Sequence, residues 1–167
     1  MKKIIAVVGL MLLVSGCSSL SSKHNDRDTE VSFQQPNGGL TLVVDSEGNL
    51  VSVKAIATAE VLSDSAAGKE AAVTVASSRA KRTLTEFINN DIKSSNVIDS
   101  VAKATNENNT YAQNVTEKIN VNAQAILRGA YISKQTLENG TAMVELTVTR
   151  ASINGAQSLR KQMSGAH

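Results

Sequence analysis

Leu40-Thr-Leu-Val-Val44, Asp45-Ser-Glu-Gly-Asn49 and Leu50-Val-Ser-Val-Lys-Ala-Ile-Ala57 follow one another without a break, and they read as strand, turn and strand. In the second run Val51 and Val53 alternate with Leu50, Ser52 and Lys54, which is the period of a half-buried ribbon. Gly48-Asn49 supplies the positive φ that a tight reversal needs. The last third of the chain repeats the arrangement. Leu127–Thr136 and Thr141–Thr149 are strand-like runs, and Leu137-Glu138-Asn139-Gly140 joins them with the Asn-Gly signal of a tight hairpin.

Between these units the period becomes helical. From Ser65 to Ile92, Ala72, Ala76, Ala80, Leu84, Phe87 and Ile88 recur every three or four residues, while Arg79, Lys81, Arg82 and Glu86 fall mostly on the other side. Ser63, Asp64 and Ser65 are candidate N-caps. A face of small Ala side chains lets a helix backbone approach a sheet or a partner closely. Ser94–Ala125 predicts two further helical pieces, interrupted around Thr105–Thr110 where Asn and Thr cluster. The order of elements predicts an α+β fold, a small antiparallel sheet of two hairpins with an Ala-rich helix packed on one face.

The N-terminus decides where the domain resides. Lys2-Lys3 precedes an apolar run from Ile4 to Val14, followed by Ser15-Gly16-Cys17. Eleven apolar residues are too few to span a bilayer, which takes ~20, but they suit the core of a secretory signal. Val14-Ser-Gly-Cys17 resembles the lipobox of bacterial lipoproteins. That resemblance implies a diacylglyceryl group on the Cys17 thiol, cleavage before Cys17, and acylation of the new amine by chains of the palmitate kind. Ser18 in place of Asp implies delivery to the outer membrane. The chain then divides into a lipoprotein signal peptide at 1–16, a lipidated N-terminus and flexible tether at 17–36, an α+β periplasmic or surface domain at 37–152, and a C-terminal tail at 153–167. The tether stretch is polar and ends at Pro36, the single proline.

Composition narrows the chemistry. Without Lys2 and Lys3, the remaining cations balance the 15 carboxylates, and aromatic residues make up 2% of the chain. That excludes both the basic footprint and the stacking platforms of a general nucleic-acid binder. One cysteine permits neither an internal disulfide nor a Cys-rich metal site. His24 and His167 have no second ligand near them, so neither a zinc site nor a His-based triad is predicted. Asp26-Arg-Asp28-Thr-Glu30 opens like a calcium loop, but Val31 and Asn37 occupy the places of its Gly and Glu. Gly68-Lys69 fails as a phosphate loop because Ser63 and Glu70 replace the first Gly and the Ser/Thr. Arg79-Ala-Lys81-Arg82 reads as a solvated helix face, with a contact to lipid headgroups or an acidic partner as the alternative. Carboxylates are scattered singly, with no pair placed for acid–base work. The expectation is a protein with no catalytic residues, no metal and no cofactor, not an enzyme, whose single functional residue is Cys17.

Ala72-x3-Ala76-x3-Ala80-Lys-Arg-x-Leu84-x3-Ile88, Leu127-Arg-Gly-Ala130 and Gly140-Thr-Ala-Met-Val-Glu-Leu-Thr-Val148, behind a lipobox, resemble the twenty-kilodalton outer-membrane lipoprotein family, which includes the FlgP-like flagellar assembly lipoproteins. The resemblance spans about residues 60–150. It implies a non-enzymatic lipoprotein anchored in the outer membrane, on its periplasmic face or at the cell surface, and serving as a structural or assembly subunit of an envelope machine. That machine would be a flagellum-associated ring that supports motility. Implied partners are further copies of the chain and other envelope or flagellar ring proteins. The alternative is a surface-exposed antigen or adhesin, or a docking module for a secretion or conjugation channel.

Overall fold

The structure is a computed structural model and describes residues 28–35 and 38–164. Cys17, His24, Pro36 and His167 lie outside the described residues.

The fold is α+β, as expected, with one strand more than two hairpins. β1 (Thr29–Gln35), β2 (Gly38–Val44) and β3 (Leu50–Glu60) form an antiparallel meander, and β4 (Tyr131–Glu138) and β5 (Thr141–Thr149) form a hairpin. β5 pairs antiparallel with β3, giving the sheet order β1-β2-β3-β5-β4. The two ribbons recognised in the sequence are therefore joined side by side in one sheet, through β3 and β5. Asn139 (φ 50°) and Gly140 (φ 73°) make the tight turn of the hairpin in the left-handed region.

β1 corrects the tether. The sequence predicts a flexible segment ending at 36, yet residues 29–35 pair along their whole length with β2, from Thr29 opposite Val44 to Gln35 opposite Gly38. Val31 and Phe33 alternate with Glu30, Ser32 and Gln34. Val31 is buried, and the Phe33 ring sits 5.2 Å from that of Phe87. The folded domain thus includes residues 29–35, ahead of the predicted start at 37. Two further boundaries move. Leu127 and Arg128 belong to a short helix, since Ile126 N–H donates to the Asn122 carbonyl and Gly129 N–H to that of Ala125. Residues 153–164 of the predicted tail are helical, because a helix runs from Arg150 to Ser164 and buries Ile153 in the core.

The helices lie on one face of the sheet. α1 (Ala66–Glu86) crosses β3 and β5. Its stripe of Ala72, Ala76 and Ala80 is buried, and Ala72 and Ala76 pack with Ala59, Ala142 and Val144. Contact through methyl groups brings the helix backbone close to the strands, so there is no room for longer side chains. At its end a π-helical turn (Phe87–Asp91), closed by Ile92 N–H to the Phe87 carbonyl at 2.8 Å, turns Phe87, Ile88 and Ile92 inward. α2 (Ser95–Thr105), α3 (Asn109–Val121) and α4 (Ala123–Arg128) complete a larger core with Leu40, Leu42, Val44 and Val53. Ser65, Ser94 and Asn108 cap α1, α2 and α3 by accepting from Gly68, Val97 and Tyr111 N–H. Each such cap contributes about 1 kcal/mol. α5 (Arg150–Ser164) follows β5 directly.

Candidate functional site

The densest convergence of polar side chains surrounds the β2–β3 turn. Asp45 begins an Asx turn, a local alternative that its short side chain offers the backbone. Its Oδ1 accepts from Glu47 N–H at 3.0 Å and Asn49 N–H at 2.8 Å, and its Oδ2 accepts from Asn49 Nδ2 at 3.2 Å. Arg150, the first residue of α5, adds an ion pair at 2.6 Å to the same Oδ2 and donates from Nε to the Leu50 carbonyl at 3.3 Å. From α3, Tyr111 Oη donates to the Asp45 carbonyl at 3.4 Å, and Lys118 Nζ donates to the Glu47 carbonyl at 3.0 Å and Asn49 Oδ1 at 3.2 Å. Gly48 has φ 73°, and a Cβ there would stand 2.8 Å from Val115 Cγ2. Glycine at this position meets both the turn geometry and the close approach of α3.

Electrostatics follow this geometry. Partial burial pushes the Asp45 carboxyl up, but the Asn49 N–H, the Arg150 guanidinium, the Asn49 amide and the Glu47 N–H outweigh it and hold the group below its ordinary range. Burial, then the charges of Glu107 and Asp45, raise the Tyr111 hydroxyl. An ionised carboxylate that already accepts four hydrogen bonds is a poor base. A tyrosine raised above its usual value is a poor nucleophile. The arrangement can fasten a turn, α3 and α5 together. Beside it lies an open groove of about 490 Å³, lined by Glu47, Tyr111, Asn114 and Lys118 among others. Glu47, Tyr111 and Lys118 belong to the same fastening, whereas Asn114 and Glu117 add polar groups outside it.

The motifs weighed in the sequence separate clearly. Val31, at the Gly place of the calcium-like run, is a core residue of β1. Gly68 N–H is bound by the Ser65 cap, and a Cβ on Gly68 would meet the Ser63 carbonyl at 2.4 Å, so this glycine serves helix entry. The basic run is not uniformly solvated. Arg79 Nη1 donates to the Thr58 carbonyl of β3 at 2.7 Å, whereas Lys81 and Arg82 are exposed. Among the described residues no three His, Cys, Asp or Glu side chains gather as a metal would require, and no helix is long and apolar enough to cross a membrane. Sequence reasoning missed the Asp45–Arg150 pair, whose members are 105 positions apart. The turn chemistry of Asp45–Asn49 was the visible half of it.

Residues 1–18 match the model of the prokaryotic membrane lipoprotein lipid attachment site, a stretch that includes Cys17. No curated protein matches the chain, and no solved structure does. The chain is accordingly a membrane-anchored lipoprotein, with an α+β domain following its attachment site.

Proposed function

We propose that the chain is held at the outer membrane by acyl groups on Cys17 and acts there without catalysis, as a structural or assembly subunit of an envelope machine. The observation that carries this reading is the lipid attachment site over residues 1–18. It places a folded domain at a lipid surface, and two buried acyl chains suffice for stable anchoring. Ser18 supports the outer membrane as destination. The non-catalytic part is supported by the polar cluster at Asp45, whose strongest hydrogen-bonding groups fasten the turn to α3 and α5.

The machine we propose first is a flagellum-associated ring. A ring of identical subunits needs two different surfaces on each copy, and β1 and β4 are chemically distinct edges at opposite ends of the sheet. Fractionation of cells carrying the wild type or Cys17→Ser tests the anchor. Wild type should sediment with outer membranes, and Cys17→Ser should persist as precursor or lose that location. Normal fractionation of the variant contradicts anchoring at Cys17. Swimming by a clean deletion, complemented with each form, tests the ring. Motility lost and restored by wild type alone supports it, and a fully motile deletion removes the flagellar role.

A further inference from the structure

Beyond Lys2 and Lys3, charge in this chain is balanced in total but segregated along its length. From Lys118 onward, Lys118, Arg128, Lys134, Arg150, Arg160 and Lys161 are set against Glu138 and Glu145, and no Asp or Glu follows Glu145. α4 and α5 together hold four of these cations and no carboxylate. Arg150 is committed to Asp45. Arg128 and Arg160 instead border a shallow groove of about 450 Å³ between the end of α4 and the outer side of α5. Its apolar lining comes from Gly155, Ala156, Leu159 and Met163. Leu159 is 62% exposed and Met163 79% exposed. They are four residues apart and so share one side of the helix. Apolar side chains left in water beside cations, on a helix free of carboxylates, are the pattern of an interfacial helix.

The topology places the start of this helix near the entry of the anchored chain. Thr29 pairs with Val44 at one end of the sheet. Asp45, the next residue, binds Arg150 at the start of α5. The chain coming from the lipid attachment site therefore enters the fold at the end of the sheet where α5 begins. The stretch from Cys17 to Asp28 can span at most ~40 Å, not much more than the ~32 Å length of the 21-residue α1.

We propose that the Leu159–Met163 side of α5, with Arg128 and Arg160 beside it, rests on the membrane that holds the anchor. The apolar side chains enter the headgroup–acyl boundary, and the cations meet anionic headgroups. The inference rests on the membrane-anchored reading and deepens it. The domain is held by two contacts in a defined orientation, and β1 to β5 are presented to partners from a fixed platform.

The chain contains no Trp, so a single introduced Trp is a clean probe. Met163→Trp, Leu159→Trp and, as a control on α1, Val75→Trp are made in the full lipidated chain. Each is reconstituted into phosphatidylethanolamine–phosphatidylglycerol vesicles with or without bromine on the acyl chains. All three should float with the vesicles. The α5 probes should shift to the blue and lose about half their emission to shallow bromine, as the depth of an interfacial helix requires, and the α1 probe should be unaffected. Arg128→Glu with Arg160→Glu should leave flotation intact and abolish the quenching. Floated chains whose α5 probes are unquenched overturn the inference alone. A blue shift without quenching also overturns it, and would place a protein surface, such as a second copy, over the helix. Chains that do not float overturn the anchor reading as well.

Discussion

The first and last helices of the domain are built on opposite terms. α1 turns Ala72, Ala76, Ala80 and Leu84 onto the sheet and buries all four, with Lys69, Lys81 and Arg82 in solvent. α5 buries Ile153 and leaves Leu159 and Met163 in water. Polar contacts also hold it, among them Arg150 to Asp45 and to the Leu50 carbonyl, and Gln157 Nε2 to Asn122 Oδ1 at 2.9 Å. The more apolar surface of α5 is thus turned outward, while the small side chains of α1 are packed inward. Side-chain size explains the inward case, since methyl groups permit close helix–sheet contact. The outward case is explained by a surface the domain meets outside itself, and the lipid anchor supplies one.

The contrast can be broken or sharpened by substitution. The largest effect belongs in the π-helical turn that follows α1. Ile88 is fully buried, and Ile88→Ala should cost ~2–5 kcal/mol through lost burial and a residual cavity. By comparison, Leu159→Ala should stay within ~0.5 kcal/mol. Urea unfolding of both variants measures this, and equal losses would erase the distinction between the helices. Next is Ala76→Leu, which should overpack the contact with Ala59, Ala142 and Val144 and cost ~1–3 kcal/mol. An unchanged melting curve would mean that α1 can move away from the sheet.

Acid provides the third test. Because the folded-state pKa of Asp45 lies below its unfolded value, its contribution is complete above the ordinary carboxylate range and is lost as pH falls through the folded value. Asp45→Asn should lower stability at neutral pH by on the order of 1 kcal/mol, a modest figure because the Arg150 partner is half exposed. The difference from wild type should shrink toward acid, and a difference independent of pH would contradict the role given to the ionised carboxylate. The smallest effect is a gain. Nothing lies within 4 Å of a Cβ built on Gly155, so Gly155→Ala should stabilise α5 by ~0.5–1 kcal/mol. Slower amide exchange of α5 with α1 unchanged is the expected reading.

These contrasts also explain what could be read from residues alone. The central strands were legible because both carry β-branched residues around turns with an Asn or Gly of positive φ. α1 was legible because its small residues repeat without interruption from Ala72 to Ala80. β1 was obscured because its two apolar residues, Val31 and Phe33, sit among Glu, Ser and Gln in a polar segment. Phe33 finds its partner in Phe87, far along the chain. The last two residues of α4 read as strand because Leu127 and Arg128 adjoin β4, whereas the burial of Ile126 and the Gly129 N–H bond to the Ala125 carbonyl hold them in the helix. α5 has Gly155 in its interior and a single core residue, which makes a weak periodic signal. Cys17 was legible because attachment is specified by a local motif, whereas the Asp45–Arg150 fastening exists only after the sheet has formed.

The most direct test follows amide exchange in the full lipidated chain on phosphatidylcholine vesicles and on vesicles containing phosphatidylglycerol. The account predicts that residues 154–163 of α5 exchange more slowly on the anionic surface, while α1 exchanges at the same rate on both. Identical exchange of α5 on the two surfaces, or slowing shared equally by α1, would contradict it.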